Sequence, residues 1–347
     1  MTAYTPSSHK TLTNRLFIAL ATTAMLLASC TATQTAKTSQ EDLLMRQQAD
    51  TFLRRMPADL QRRQTAAIWR AMAGDSRGLD SVRLSRNTEW PLPEGVSARM
   101  LTPTLRLYEP AEAAGRELPT LIYLHGGGWT FGSVNSCSRF CGAMAASGTA
   151  RVVAVDYRLA PENPFPAGLE DCKAAVRYVI DHAEELKTDT AAVAIGGDSS
   201  GGNLAVATAL STECRGKVAM LVLFYPVTLA IADGSASWRE FGRGYGLDSD
   251  IMEAFDSAYV GKADAKDTRI SVGLLPADTL RALLPQTLLL AAGRDILRDQ
   301  GKDFATRAGR KARREELSEA VHLFITVPGQ DEAFNKAVRL AADFLRQ

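Results

Sequence analysis

The hydrophobic pattern changes character along the chain. Residues 16–28, LFIALATTAMLLA, are apolar throughout and follow a stretch that carries Lys10 and Arg15 and no acid. Residues 41–73 then place apolar side chains at helical spacing, which predicts two amphipathic helices, broken near Pro57 and ended by Gly74. Beyond a polar stretch come short, nearly continuous apolar runs: TLRLYEP, PTLIYLHGGGW, RVVAVDYRL, AAVAIGGDSS, AMLVLFYPV and QTLLLAAGRD. Runs of this kind predict strands buried on both faces, as in a parallel sheet. Helix-patterned segments lie between them: GLEDCKAAVRYVIDHAEEL, GGNLAVATALSTEC and GKDFATRAGRKARR. Strand alternating with helix predicts an α/β fold wound in right-handed βαβ units, with functional groups gathered beyond the C-terminal ends of the strands.

Composition adds little to this picture and excludes some partners. The 347 residues are 46% hydrophobic and 23% charged, with a formal net charge of +1 and no basic stripe. Nothing in that balance points to nucleic acid or a polyanionic substrate. The run at 16–28 is too short for a helix to cross a bilayer core of about 30 Å, but it suits the apolar core of a signal peptide. It leads into LASC, ending at Cys30, which resembles a bacterial lipobox. That resemblance implies a lipidated Cys30, a signal peptide over 1–29, a polar tether over 30–40 and a membrane-anchored body in the cell envelope. Thr31 is not the aspartate that in some bacteria keeps such proteins at the inner membrane, a hint toward the outer one that leaves the periplasmic side of the inner membrane open as well. The remaining cysteines, Cys137, Cys141, Cys172 and Cys214, are open to two readings, a disulfide in an oxidising compartment or small buried thiols. No His/Cys cluster beside them has zinc spacing, so no metal site is expected.

The candidate chemistry begins at AIGGDSSGGNLA, 194–205. Gly197-Asp198-Ser199-Ser200-Gly201 matches G-x-S-x-G between a buried strand and a helix, the pattern of a nucleophile elbow. A glycine-rich turn with a passive serine would read the same way, so the pentapeptide alone is loose. His125-Gly126-Gly127-Gly128-Trp129, directly after another apolar strand, supplies bare peptide N–H groups of the kind a tetrahedral oxyanion needs. A serine nucleophile needs a base. His9 lies in the leader, His125 in the glycine loop and His182 within a helical pattern, which leaves His322 in EAVHLFITVPG. The chain order Ser…Asp/Glu…His then asks for an acid after a strand and before His322. TLLLAAGRDILRDQG offers Asp295, with Asp299 as its rival.

HGGGW, GDSSG and VVAVDYRLAPENPFPAGLED together resemble the bacterial hormone-sensitive-lipase family of α/β-hydrolases, from about residue 90 to the C-terminus. The resemblance implies a mostly parallel central sheet flanked by helices under a helical cap. It also implies an oxyanion hole from the N–H groups of Gly127, Gly128 and Ser200, and an acid in the first position of D-x-L-R-D, Asp295. It casts Asp156–Glu162 as support for the site. The sequence departs from the family at Leu323, where glycine usually follows the histidine, and at Ser200, where alanine is more common. By the same resemblance, residues 41–90 and an insertion at 228–262 are expected as the cap, over a catalytic domain spanning 91–347. Trp129, Phe131 and Tyr245 are candidates for the substrate pocket or the core.

These residues point to carboxylic-ester hydrolysis through an acyl-enzyme, with no metal or organic cofactor required. The expected substrate is a short acyl ester, small or carried on a glycan, with acetyl a candidate group. The same machinery would serve an amide, a lactone or a formyl group, and a surface lipoprotein with a retired hydrolase fold would bind a ligand without turning it over.

Overall fold

The computed structural model describes Met1, residues 40–113 and residues 115–347. The leader, His9 and Cys30 lie outside the described residues. The chain divides into a unit ending at Leu44 and a compact unit, Met45–Gln347, which carries the fold.

An eight-stranded sheet forms its centre, in the order β1-β2-β4-β3-β5-β6-β7-β8. The strands are β1 (Val96–Thr102), β2 (Leu105–Pro110), β3 (Leu118–Leu124), β4 (Arg151–Val155), β5 (Thr188–Asp198), β6 (Met220–Phe224), β7 (Gln286–Arg294) and β8 (Ala312–Val321). Strand β2 runs antiparallel to both β1 and β4, and every pairing from β4 through β8 is parallel. This is the α/β-hydrolase fold, with the parallel sheet that the apolar runs predict.

Helix α1 covers 40–55, followed by α2 (Leu60–Met72) and α3 (Arg77–Arg86). The break falls at Pro57 and the second helix stops before Gly74, which has φ +98°, as the pattern predicts. Helix α3 falls in the stretch read as merely polar. Its only buried side chain is Leu79, so it shows almost no apolar period. The other helices are α4 (Ser138–Ala146), α5 (Ala167–Asp181), α6 (Ala183–Leu186), α7 (Ser200–Leu210), α8 (Ala236–Phe241), α9 (Ser249–Val260), α10 (Ala277–Leu283), α11 (Arg298–Ala308) and α12 (Asp331–Leu345). The helical reading of GKDFATRAGRKARR runs too far. Helix α11 ends before Gly309, which has φ +61°, and residues 312–314 already belong to β8. Strand β8 is an edge strand with exposed charges, so it lacks the apolar run that marks the inner strands.

Because side chains alternate across a strand, each inner strand feeds two cores. Ile122 and Leu124 of β3 pack on one face with Val176 of α5, Leu204 of α7 and Phe304 of α11. Leu121 and Tyr123 pack on the other with Phe140 of α4 and Phe334 of α12. Burying one such side chain stabilises the fold by about 1.5–3 kcal/mol. A sheet wedged between two cores is therefore a rigid frame, and the loops at its C-terminal rim carry the site.

Candidate active site

Strand β5 ends at Asp198 and helix α7 starts at Ser200, which leaves Ser199 alone in the corner. Its backbone sits at φ +53° and ψ −117°, a region costing an L-residue about 1–3 kcal/mol. The turn is held on both sides, since Ser199 N–H donates to Phe224 O at 2.9 Å and Val227 N–H donates to Ser199 O at 3.0 Å. Gly201 is required here by space: a Cβ on it would overlap the carbonyl oxygen of Leu124. The G-x-S-x-G spacing thus lets α7 lie directly on β3 while Ser199 projects from the rim.

Three distant segments meet at that hydroxyl. His322, just after β8, has Nε2 3.2 Å from Ser199 Oγ. On its other side, His322 Nδ1–H donates to Asp295 Oδ2 at 2.7 Å. All three side chains are buried. Asp295 follows β7, and its second oxygen accepts from Leu297 N–H at 3.1 Å, capping the turn into α11. Its rival is occupied elsewhere: Asp299 accepts from Ser237 N–H at 2.8 Å and pairs with Arg298 at 2.8 Å. The other two described histidines are structural. His125 is fully buried, donates from Nδ1 to Gly126 O at 2.9 Å and stacks on Tyr157, and burial lowers its pKa. His182 donates from Nδ1 to Tyr178 O at 2.9 Å at the end of α5.

The glycine loop after β3 faces the same hydroxyl. Among the described residues, the backbone N–H groups of Gly127, Gly128 and Ser200 donate to no protein acceptor. Uncommitted donors at a buried corner suit a developing oxyanion. A Cβ on Gly128 would overlap the Phe255 ring, so only glycine lets the loop pass beneath α9. Asp198 ties the loop to the elbow: its Oδ1 accepts from Gly126 N–H and from Tyr123 Oη–H, each at 2.9 Å. Burial dominates its titration and pushes its carboxyl up to about 6, against the opposing pull of those two hydrogen bonds. The segment Asp156–Glu162 braces the loop from behind. Tyr157 Oη–H donates to His125 O at 2.6 Å, Ala160 N–H donates to Trp129 O at 2.9 Å, and Glu162 pairs with Arg83 of α3 at 2.7 Å.

Sequence reasoning missed two contributors. Gln330 is buried behind the histidine loop and bonds both Val321 and His322. Tyr225, at φ +35°, lies against the imidazole with centroids 4.3 Å apart. A lone glutamine and a tyrosine at the end of a strand carry no local signal for such roles. Leu323 holds φ +72°, the left-handed backbone for which the family's glycine is suited. Leu323 thus adds a side chain at a backbone position suited to glycine.

A cavity of about 400 Å³ opens over Ser199 and His322, walled by Phe52 of α1, Met56 just after it, Leu60 of α2, Leu247, and Ile251 and Phe255 of α9. A second cavity of about 200 Å³ lies on the far side of Gly127, lined by Trp90, Phe131 and Thr326. Arg86, Gly127, Leu323, Val327 and Pro328 border both. Of the aromatic pocket candidates, Phe131 lines the smaller of these two cavities, and Trp129 and Tyr245 line neither. Trp129 is stacked on Tyr259 at 4.3 Å, and Tyr245 packs edge-on against Phe241. Cys137, Cys141, Cys172 and Cys214 are buried free thiols away from both cavities.

The family model described as alpha/beta hydrolase fold, Abhydrolase_3, matches residues 121–326. Carboxylesterase NlhH of Mycobacterium tuberculosis is 35% identical over 244 residues, which cover 67% of this chain and 76% of that one. Ethyl acetate hydrolase of Pseudomonas putida is 34% identical over 240 residues, covering 66% of this chain and 70% of its own. Among solved structures, a thermostable esterase from Pseudomonas putida ECU1011 superposes with TM-score 0.71 at 25% identity, covering 86% of this chain and 94% of its own. An ester-hydrolase from the metagenome of Lake Arreo, complexed with a bipyridine phosphonate derivative, gives TM-score 0.67 at 33% identity, covering 78% and 90%. This chain belongs to the Abhydrolase_3 family of α/β-hydrolases.

Proposed function

We propose that the protein is a serine carboxylic-ester hydrolase acting on short acyl esters. The observation that carries this reading is the unbroken line from Asp295 through His322 to Ser199 Oγ, ending beside uncommitted N–H groups. His322 Nε2 takes the Ser199 proton as Oγ attacks the acyl carbon, and Asp295 holds the imidazole with Nε2 toward the serine. The carbonyl oxygen gains its charge against Gly127, Gly128 and Ser200, where each such donor is worth about 2.7–4 kcal/mol of barrier. His322 then protonates the leaving alcohol, and water, activated by the same imidazole, releases the acid from Ser199. A cavity of about 400 Å³ with apolar walls suits an acyl chain of a few carbons with its alcohol. Helices α1 and α2 and the insertion 228–262 serve as the cap over this cavity, supported by the wall residues that they supply. Hydrolysis of p-nitrophenyl esters from acetate to decanoate tests the assignment. The expected profile peaks at acetate or butyrate and disappears in Ser199→Ala, and full turnover by that variant would overturn it.

The N-terminal pattern supports a lipid-anchored location in the bacterial cell envelope, with acylated Cys30 as the membrane attachment and a small or glycan-borne ester as substrate. Metabolic labelling with palmitate, followed by fractionation, checks this. Label and membrane association are expected in the wild type and absent in Cys30→Ala, and a soluble, unlabelled wild type would sink the anchor.

A further inference from the structure

We infer that Arg86 recognises an anionic group on the substrate, and that the esters this enzyme takes carry a free carboxylate, as hemi-esters of short dicarboxylic acids do. This inference deepens the esterase reading and rests on it.

Arg86 ends α3 and borders both cavities where they meet beside Gly127. Its guanidinium makes one hydrogen bond, from Nη2 to Gln64 Oε1 at 3.2 Å, and lies over the Phe131 ring at 5.2 Å. The rest of its donor fork meets no acceptor, and no acid lies within ion-pair distance, among the described residues. Arg83, one turn earlier on the same helix, is the contrast. Its fork is spent on both oxygens of Glu162 and on the carbonyls of Thr130 and Ala160. Arg83 is built as a structural clamp, while Arg86 is left open toward the cavities.

The surroundings sharpen the point. Among the described residues, no aspartate or glutamate lines the larger cavity. Asp198, the acid bordering the smaller one, turns Oδ1 to Tyr123 and Gly126. Arg55, also bordering the larger cavity, is exposed and has no acid partner among the described residues. Burial lowers the pKa of Arg86, with no charged neighbour opposing it. A partly desolvated guanidinium without a counter-charge is costly, and a carboxylate that meets its planar fork with two parallel hydrogen bonds offsets that cost. An apolar cavity with a half-buried open arginine, and exposed Arg55 at its border adding to the positive charge, therefore fits an acyl chain that ends in a carboxylate. In turnover that carboxylate is a bystander. Ser199 Oγ bonds to the ester carbon, the bond from that carbon to the alcohol oxygen breaks, the alcohol leaves with the proton from His322, and water then frees the dicarboxylate.

The experiment compares kcat/KM for monoethyl succinate and ethyl butanoate in the full-length protein, in Arg86→Gln and in Arg86→Lys. The wild type is expected to favour monoethyl succinate at least tenfold. Arg86→Gln is expected to lower that ratio at least tenfold, with Arg86→Lys between the two. A wild-type ratio near one, or a ratio unchanged in Arg86→Gln, overturns the proposal; the second result would make Arg86 only a brace for Gln64. Should Arg86→Gln fail to fold, succinate inhibition of ethyl butanoate turnover by the wild type decides. Competitive inhibition that weakens with added sodium chloride supports the role, and no inhibition sinks it. If the wild type hydrolyses neither ester, the esterase reading fails separately. Succinate raising the melting temperature of Ser199→Ala would then still support the anion site, and no shift would remove it.

Discussion

Gln330 clasps the residue pair that presents His322. Its Oε1 accepts from Val321 N–H at 3.0 Å, while its Nε2–H groups donate to Val321 O at 3.2 Å and His322 O at 3.1 Å. The imidazole is thus positioned from behind by a side chain that lines neither cavity. Removing the amide leaves buried peptide groups unpaired, each at about 1–3 kcal/mol. Gln330→Leu is expected to lower kcat about tenfold with little change in KM, because binding walls remain while the base loses its register. Steady-state kinetics on p-nitrophenyl butyrate, with the melting temperature measured alongside, checks this. A rise in KM at constant kcat would show that the clasp shapes the pocket instead.

The two aspartates after β7 should separate cleanly. Asp295→Asn keeps the shape of the site but loses the charge that steadies the imidazolium, and a fall in kcat of roughly 10⁴-fold is expected. Asp299 binds Ser237 N–H and Arg298, so Asp299→Asn should cost stability at the contact of α8 with α11 and little of kcat. Parallel assays of the two variants settle the assignment, and equal losses would contradict it.

Leu323 stands in left-handed backbone and borders both cavities. Leu323→Gly removes a strain of about 1–2 kcal/mol and gives up side-chain contact and unfolded-state rigidity in return. Its melting temperature should therefore stay close to the wild type while the cavities open into each other. The octanoate-to-butyrate ratio of kcat/KM is expected to rise several-fold. Leu323→Val, β-branched at positive φ, should lose stability. A ratio unmoved by glycine would mean that Leu323 does not gate chain length.

Asp198 gives the fold a pH dependence of definite sign. Its carboxyl sits near 6 in the folded protein against an ordinary value of 3.8, so the native state holds a proton that the unfolded chain has lost between those values. Stability from this group is present at low pH and is lost as pH rises through about 6. Asp198→Asn keeps an oxygen for Gly126 N–H and Tyr123 Oη–H but cannot titrate. Denaturant unfolding from pH 4.5 to 7.5 should show the wild type losing stability relative to the variant. A constant difference across that range would refute the shifted carboxyl.

The inner strands were legible because burial on both faces leaves a continuous apolar run, and the elbow because few residues other than glycine fit between β3 and α7. Helix α3 and strand β8 were not. Helix α3 buries one leucine, leaves Leu84 exposed and is otherwise mostly polar or charged, and β8 lies at a sheet edge where polar side chains meet solvent. The aromatic candidates stay open between pocket and core in the sequence for a related reason. Trp129 and Tyr245 sit beside the motif or in the expected cap, but which ring faces a cavity depends on what packs against it.

Local sequence therefore determined the pieces whose requirements are local: the sheet strands, the glycine turns, a serine in a corner and a histidine in a late loop. Asp295 was named over Asp299 by the family resemblance, and tertiary structure shows the contact itself; only tertiary structure decided that Gln330 holds the imidazole from behind and that Arg86 is left open where Arg83 is spent. Those outcomes depend on which side chains meet within about 3 Å, the reach of a hydrogen bond, whether the partners lie 27 residues apart, as Asp295 and His322 do, or 8, as Gln330 and His322 do. The folded sheet and its loops set such meetings, and spacing along the chain does not say which groups come together.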